Sequence, residues 1–217
     1  MAENLKKYHT SKLTAVVFAN VLCFYGLAAT APLGLRELVP SDFIEATKAL
    51  PIGLGPMLAF LIISLFPSKW KERIVFLCWS HPLPGSRAFT HFAKEDPRVD
   101  VEALARILDQ LPTDPREQNR VWYKLYLTVE DRESVKQAHR GYLFFRDYTV
   151  IALSSFAVLA PASFYFMESW LIPSFYSLGL LLQLVLTRTA AVNHAERFVC
   201  NVLSIVSATG RKKEANE

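Results

Sequence analysis

The chain has 217 residues, of which 52% are hydrophobic and 20% are charged, and its formal net charge is +4. This hydrophobic share is high for a soluble domain and is clustered in runs, which argues against an ordinary soluble single-domain protein. The three cysteines, Cys23, Cys78 and Cys200, show no metal-binding spacing and indicate no disulfide framework.

Four runs of the sequence contain no Asp, Glu, Lys or Arg, and each is roughly long enough to cross a membrane as a helix, for which about 20 residues are needed. They cover residues 13–31, 52–66, 148–166 and 170–186. The second run is the weakest, because Gly53, Gly55 and Pro56 interrupt it, and it fits a short, tilted or re-entrant helix. The sequence therefore predicts an all-α membrane protein with four transmembrane helices and a helical cytoplasmic domain between spans 2 and 3.

The first run has an alternative interpretation as a secretory signal. Lys6, Lys7 and Lys12 precede it, and it ends in the small residues LAATA, as signal peptides do. Pro32 follows this site directly and argues against cleavage, so we expect a retained span.

The stretch HPLPGSRAF, residues 81–89, follows the second run. Pro82 and Pro84 each lack a backbone donor and Gly85 favours a turn, which excludes a regular helix. We expect a loop that packs under the helices of the cytoplasmic domain.

His81 and His91 give this loop two possible chemical roles. With Cys78 they supply three metal ligands, but in no standard pattern, and the simpler alternative is one or two histidines hydrogen-bonded in a domain interior.

Ser80, His91 and either Asp96 or Asp100 would form a hydrolase triad, but no nucleophile-elbow motif accompanies them. We therefore predict no catalytic residue, metal or cofactor. A membrane-embedded enzyme or assembly factor using the His81/His91 loop is the alternative function.

Two similar motifs, EDPRVD and TDPREQ, predict helix starts in the cytoplasmic domain. In each, an aspartate, Asp96 or Asp114, can cap the first amides, and the following proline suits the first helical position. The first helix carries an apolar stripe and the second a mixed one; their members are Val101, Leu104, Leu108 and Leu111, then Gln118, Trp122, Leu125 and Val129. A third helix starts near Ser134 and continues into the third span, which couples the domain to the membrane.

The segment REQNRVWYKLY, residues 116–126, alternates basic and aromatic residues. Basic groups hold phosphates while aromatic faces stack on bases, which is what a single-stranded nucleic acid needs. We predict a ligand site made of Arg116, Arg120, Trp122, Tyr123 and Lys124. A core-facing Trp122 is the open alternative for that residue. In the similar segment HRGYLFFRDY, residues 139–148, the aromatic residues adjoin a span, and a membrane-interface belt is favoured.

The last span predicts a helix of about 35 residues, because neither Gly nor Pro follows until Gly210. Polar or small residues recur along it every three or four positions, which puts them on one stripe. We predict that the stripe lines a pore in an oligomer, through Gln183, Thr187, His194, Arg197 and Asn201. The alternative, which weighs most from Arg197 onward, is a helix that leaves the bilayer and packs its polar face on the cytoplasmic domain.

Charge predicts the orientation, because cytoplasmic flanks collect Lys and Arg. Residues 1–12, 67–147 and 187–217 sum to +6, and the two remaining connections sum to −2. Both termini and the middle segment are therefore expected in the cytoplasm of a multi-pass protein of the bacterial inner membrane. The predicted divisions are an N-terminal tail with spans 1 and 2 (1–66), the cytoplasmic domain (67–147), spans 3 and 4 with a helical extension (148–210) and a polar tail (211–217).

The run HPLPGSRAFTHFAKEDPRVDVEALARILDQLPTDPREQNRVWYKLY resembles the central region of small bacterial membrane proteins of anti-phage defence, of the Hailong type of transmembrane effector. HPLPG, DPR, LPTDP and QNRVWYK carry the resemblance, which covers residues 70–147 and extends more loosely to the four-span layout. It implies a homo-oligomeric channel whose opening harms the host, controlled by an oligodeoxyadenylate that a partner nucleotidyltransferase, encoded nearby, makes. No site residue is carried over from it.

Overall fold

A computed structural model of the chain describes residues 2–29, 58–167 and 169–214, with side chains over 11–27, 58–167 and 169–209. Within these ranges every regular element is a helix and no strand occurs, which confirms the predicted all-α class. In chain order the elements are α1 (Ala2–Ala29), α2 (residues 58–65), α3 (Ser68–Phe76), a 3-10 turn (Pro84–Arg87), a π turn (Ala88–Phe92), α4 (Ala93–Glu95), α5 (Val101–Leu108), α6 (Pro115–Val129), α7 (Glu133–Phe166) and α8 (Leu171–Glu214).

Two helices in the described part of the chain are long and apolar enough to cross a membrane, not the four that were predicted. They are Glu133–Phe166 and Leu171–Thr209, which contain the third predicted span and residues 171–186 of the fourth. The first predicted span falls on a shorter apolar run, Ser11–Leu27, inside α1. Most of the interrupted part of the second, including Gly53, Gly55 and Pro56, lies outside the described residues.

The chain divides into two compact units. Unit 1 comprises Met1–Lys71 and Arg146–Arg188, and unit 2 comprises Glu72–Phe145 and Thr189–Glu217. The first segment of unit 2, Glu72–Phe145, has nearly the bounds of the predicted cytoplasmic domain, 67–147. Unit 2 also includes the C-terminal part of α8. Both α7 and α8 contribute residues to the two units as uninterrupted helices.

The core of unit 1 combines an apolar cluster with buried polar pairs. Phe24, Ala160, Met167, Tyr176 and Leu180 are buried together. The Asn20 amide donates to Ser155 Oγ at 3.1 Å, and the Tyr176 hydroxyl donates to the Asn20 carbonyl at 2.9 Å. These bonds satisfy polar groups that would otherwise be costly to bury.

The core of unit 2 joins segments that are far apart in sequence. Phe89 and Phe92 from the π turn pack with Leu104 of α5 and with apolar residues of α6 and α7. The largest share comes from the C-terminal part of α8, through Ala195, Phe198, Val199, Val202, Leu203 and Val206. The alternative prediction placed the polar face of this helix on the domain formed by the middle of the chain. The helix does pack on residues 72–145 of unit 2, but its apolar side supplies most of the contact, so the predicted face was wrong.

The helix boundaries confirm two of the three predicted starts. Asp114 caps α6, accepting from the amides of Arg116 and Glu117 at 3.0 Å, and α7 begins at Glu133 beside the expected Ser134. Asp96 was wrong as a cap, because its carboxylate accepts from the backbone and guanidinium of Arg98 and closes a turn. Asp100 caps α5 instead, accepting from Ala103 N at 3.0 Å.

Candidate functional site

The exposed side of α6 carries four of the five predicted ligand residues. Because Asp114 and Pro115 fix the start of the helix, the spacing of three, four and seven residues brings Arg116, Arg120, Tyr123 and Lys124 to the side that faces away from the core. All four are exposed, and Tyr123 keeps 52% of its surface. We call these four residues the α6 basic surface.

Trp122, the fifth predicted ligand residue, lies in the core of unit 2 with 6% of its surface exposed. The Phe198 ring meets it edge-on at 5.1 Å, and the Tyr126 ring stacks on it at 6.0 Å. Its Nε1 has no hydrogen-bond partner among the described residues. Burial and the two neighbouring rings leave no room for a base to stack on the indole. The prediction of Trp122 as a stacking residue is therefore corrected in favour of its core alternative. Tyr123 is the predicted aromatic residue that remains on the surface.

The carboxylate of Glu117 partly neutralises the positive charge of the α6 basic surface. Arg120 donates to Glu117 Oε1 at 3.2 Å, and both side chains are largely exposed. An exposed pair of this kind contributes at most about 1 kcal/mol, so a phosphate can compete with Glu117 for the guanidinium.

A pocket of about 340 Å³ adjoins this surface, and one of its lining residues is Glu117, the ion-pair partner of Arg120. The other lining residues come from α5, α6 and the connection between them: Leu108, Gln110, Leu111, Pro112, Thr113 and Val121. The connection contains Asp109 at φ 59°, across which Gln110 N donates to the Leu108 carbonyl at 2.6 Å. The volume is at the lower end of the range for small-molecule sites, enough for one aromatic heterocycle.

An aromatic cluster behind α6 was not predicted. His139 stacks on Phe198 at 4.5 Å, and its Nδ1 lies 3.3 Å from the Tyr126 hydroxyl. Burial raises the pKa of Tyr126, with Glu130 as the next cause, so this phenol stays neutral in the physiological range. Sequence spacing carried no signal for the cluster, because its members come from three different helices.

The predicted loop at residues 81–89 is confirmed as a packing element. Gln118 of α6 is 1% exposed, and its side-chain oxygen accepts from Phe89 N, Thr90 N and Thr90 Oγ1, each at 3.1 Å. Its amide donates to the Thr113 carbonyl at 2.9 Å. One buried side chain thus holds the loop against α6.

The histidines of the loop region are not interior residues, so that alternative was wrong. His91 is exposed and lies 3.2 Å from Glu95, while His81 is half-exposed at φ 52°. Among the described residues no three His, Cys, Asp or Glu side chains come together as metal ligands. Nor is the proposed hydrolase triad assembled, because Asp96 binds Arg98, Asp100 caps α5 and His91 faces Glu95.

The predicted pore residues of unit 1 contact other parts of that unit. Gln183 donates to the Tyr148 hydroxyl at 3.1 Å and is half-buried. Thr187 is buried, and its hydroxyl donates to the Leu184 carbonyl of its own helix at 3.1 Å. The structure thus brings Gln183 to a polar partner and gives Thr187 a structural role.

The predicted pore residues of unit 2, which are His194, Arg197 and Asn201, have different surroundings. His194 stacks on Phe145 at 5.1 Å over Gly141, where a Cβ would collide with the imidazole. Asn201 donates to the Ser134 carbonyl and accepts from Arg98, both at 3.1 Å. Arg197 is exposed. Within unit 2, His194 thus packs on a ring and Asn201 is hydrogen-bonded, and a pore lining by these residues in an oligomer stays a prediction.

Arg98 connects the turn before α5 with the C-terminal part of α8. Its guanidinium donates to Asp96 Oδ2 at 2.7 Å and to Asn201 Oδ1 at 3.1 Å. The Arg98 hydrogen bonds, together with one from the Cys200 thiol, lower the pKa of Asp96 to about 2. The pairing fixes the turn before α5 to the C-terminal part of α8.

A comparison of the chain with protein-family models, curated proteins and solved structures finds no match.

Proposed function

We propose that the chain is an oligomeric membrane effector or ion channel, controlled by a nucleotide or oligodeoxynucleotide that binds unit 2. The observation that carries the membrane part is the exposed apolar surface of α7 and α8. Only 33% and 22% of their apolar windows are buried, whereas the core helix of a soluble protein is mostly buried. The large exposed side chains are Val158, Phe164, Tyr165, Phe166, Leu171, Phe175, Leu178, Leu181, Leu182, Val185 and Leu186. So many exposed large apolar side chains on two helices favour contact with lipid or with another copy of the chain.

The proposed topology has four spans, with the Ser11–Leu27 run and residues 52–66 as the first two. Unit 2 and both termini then lie in the cytoplasm of the bacterium, on the side that the +6 against −2 charge division favours. An alkaline phosphatase fused after Gly210 tests the orientation, because this enzyme is active only in the periplasm. An active fusion would reverse the assignment.

A channel of this architecture requires several copies, because a four-helix subunit encloses no lumen of its own. Of the predicted lining residues, Gln183, His194, Arg197 and Asn201 remain candidates, since none of them is buried, whereas Thr187 is buried within the subunit. Mass measurement in mild detergent tests the assembly, and a strict monomer would contradict the pore.

The proposed ligand site is the α6 basic surface together with the neighbouring pocket. Three exposed cations suit the phosphates of a nucleotide, and Tyr123 offers a face for one base. α7 and α8 pass without interruption from unit 2 into unit 1, so a shift in the ligand-bound unit has a direct covalent route to the membrane segments.

The defence role and the partners come from the resemblance of residues 70–147 to anti-phage effectors. On that basis the ligand is an oligodeoxyadenylate made by a nucleotidyltransferase encoded nearby, and opening of the channel harms the host. The His81/His91 enzyme alternative is not proposed, since no contact of the two histidines favours it.

Membrane potential tests the function directly. Bacteria expressing the chain are loaded with a potential-sensitive dye, and proteoliposomes of the purified protein are assayed for ion flux with and without oligodeoxyadenylate. We expect depolarisation and flux that depend on the ligand.

The matched controls for this assay are charge reversals on unit 2. Arg120→Glu with Lys124→Glu should abolish the response to the ligand, whereas Lys94→Glu, a charge reversal at another exposed position of the same unit, should preserve it. Unchanged potential and no flux under any ligand condition, in correctly inserted protein, would refute the proposal.

A further inference from the structure

A short segment after α3 exposes large apolar side chains on unit 2. Leu77 and Trp79 each keep 70% of their surface, and Leu83 keeps 42%. By contrast, Trp122, the other described tryptophan of unit 2, is buried. We call Leu77, Trp79 and Leu83 the apolar tip.

The backbone holds the apolar tip outward at some cost. Leu77 has φ 50° and His81 has φ 52°, in the left-handed region that side chains other than glycine rarely adopt. The segment is held at its far end, where Pro84, Gly85 and Ser86 are buried against α6. Strained residues that present exposed apolar groups are typical of binding surfaces and not of core packing.

One arginine contacts the apolar tip, and a second lies over the last residue of α3, directly before the tip. The Arg73 guanidinium lies 5.3 Å from the Trp79 ring, and the exposed Arg87 lies 5.8 Å from the Phe76 ring. Residues 73–87 contain these two arginines and no Asp or Glu. Tryptophan and leucine flanked by basic residues are the composition that anchors proteins at the interface of anionic membranes.

In the proposed topology, the chain leaves the membrane close to this segment. Trp79 follows the apolar run that ends at Phe66 by 13 residues, nine of which form α3. A nine-residue helix is about 14 Å long and the four other residues add at most about 14 Å. The apolar tip is therefore tethered within about 28 Å of the proposed point of exit, roughly the thickness of the hydrocarbon core.

We propose that Leu77, Trp79 and Leu83 insert into the headgroup region of the inner leaflet and anchor unit 2 to the bilayer, with Arg73 and Arg87 contacting anionic lipid phosphates. The inference rests on the proposed membrane insertion of the chain. It adds a second, peripheral membrane contact that is made by the cytoplasmic unit itself.

The experiment places a fluorophore at single cysteines in full-length protein whose Cys23, Cys78 and Cys200 have been replaced by alanine. Trp79→Cys and Leu83→Cys report on the apolar tip, and Tyr123→Cys is the control, because it is also a large exposed residue of unit 2. Each labelled protein is reconstituted into lipid nanodiscs containing phosphatidylglycerol. Quenching is measured with lipids that carry a nitroxide near the headgroup and, separately, with aqueous iodide.

We expect the nitroxide lipid to quench positions 79 and 83 at least about twofold more than position 123, and iodide to show the reverse order. Arg73→Gln with Arg87→Gln should reduce lipid quenching at position 83 when phosphatidylglycerol is present, and should have little effect in phosphatidylcholine alone.

Iodide quenching at 79 and 83 equal to that at 123, in protein that resists carbonate extraction from membranes, would overturn the inference and leave the proposed function standing. Protection of both positions from lipid and iodide alike would overturn it in favour of a contact with another copy of the chain. Extraction of the protein by carbonate would overturn the proposed function, and this inference with it.

Discussion

The side-chain oxygen of Gln118 lies 3.1 Å from the backbone nitrogen of Phe89, 29 positions earlier in the chain. The same oxygen accepts two bonds from Thr90, so a single buried amide closes the π turn onto α6. Unsatisfied buried donors cost about 1–3 kcal/mol each, which makes this residue a sensitive point of unit 2.

We expect Gln118→Leu to lower the free energy of unfolding by about 3 kcal/mol, because it leaves the amides of Phe89 and Thr90 without an acceptor. Urea unfolding of the detergent-solubilised protein, followed by tryptophan fluorescence, measures the change. Gln137→Leu, at an exposed position of α7, should change stability by less than about 0.5 kcal/mol. Equal effects of the two substitutions would contradict the role of Gln118.

Gly85→Ala should destabilise the protein, because the added Cβ would lie 2.6 Å from Asn119 Oδ1 and 2.7 Å from Trp122 Cε3. Overpacking of this kind costs about 1–3 kcal/mol. Gly179→Ala in α8 has no atom within 4 Å of the new Cβ, and removing a helical glycine favours the helix by about 0.5–1 kcal/mol. We expect Gly85→Ala to lower the unfolding midpoint and Gly179→Ala to raise it. A midpoint raised by Gly85→Ala would show that the loop packs differently.

Asp96 should make stability fall at acid pH. Its pKa is lowered from 3.8 to about 2, chiefly by the Arg98 hydrogen bonds, so the folded state gains stability above pH 4 and loses it as the pH falls to about 2. Since the Arg98 side chain is more than half exposed, we expect a discounted effect of about 1–2 kcal/mol. Urea unfolding between about pH 5 and pH 2 should show that Asp96→Asn and Arg98→Gln each remove this part of the pH dependence. If the free energy of unfolding of the two variants depended on pH in the same way as that of the unchanged protein, the pairing of Asp96 with Arg98 would be refuted.

Oligodeoxynucleotide binding should depend on salt through the α6 basic surface. Arg120→Glu should weaken binding and lower the slope of log affinity against log salt by at least about one unit, because phosphate contacts release counterions. Tyr123→Ala should weaken binding by roughly 1–3 kcal/mol at an unchanged slope if the ring stacks on a base. Fluorescence anisotropy of a labelled oligodeoxyadenylate measures both, with Lys94→Glu as the control. Unaltered binding in all variants would make the surface an ordinary solvated helix face.

Trp122→Phe distinguishes a core residue from a ligand contact. We expect a loss of about 1–2 kcal/mol in stability, because the smaller ring leaves space beside Phe198 and Gly85. Oligonucleotide affinity per folded molecule should stay the same. A selective loss of affinity would restore Trp122 to the ligand site.

Local patterns determined much of this fold. Three features could be predicted from the sequence alone: the Asp114-Pro115 cap, the start of α7 and the continuous α8. Capping chemistry and the absence of helix-breaking residues act within a few residues of the chain. The exposed position of Arg116, Arg120, Tyr123 and Lys124 follows from the same helical spacing. Asp96 shows the limit even at this range, because a turn through Arg98 competed with the cap.

Only the tertiary structure decided which faces of these helices are covered. The stripe through Thr187, His194 and Asn201 is polar enough to line water, but its members are used in contacts within each unit. Trp122 belongs to the core because Gly85 and Phe198, 37 positions before and 76 after it, close around its ring. Periodicity fixes the direction in which a side chain leaves its helix, whereas burial depends on partners that are remote in sequence and that no local pattern specifies.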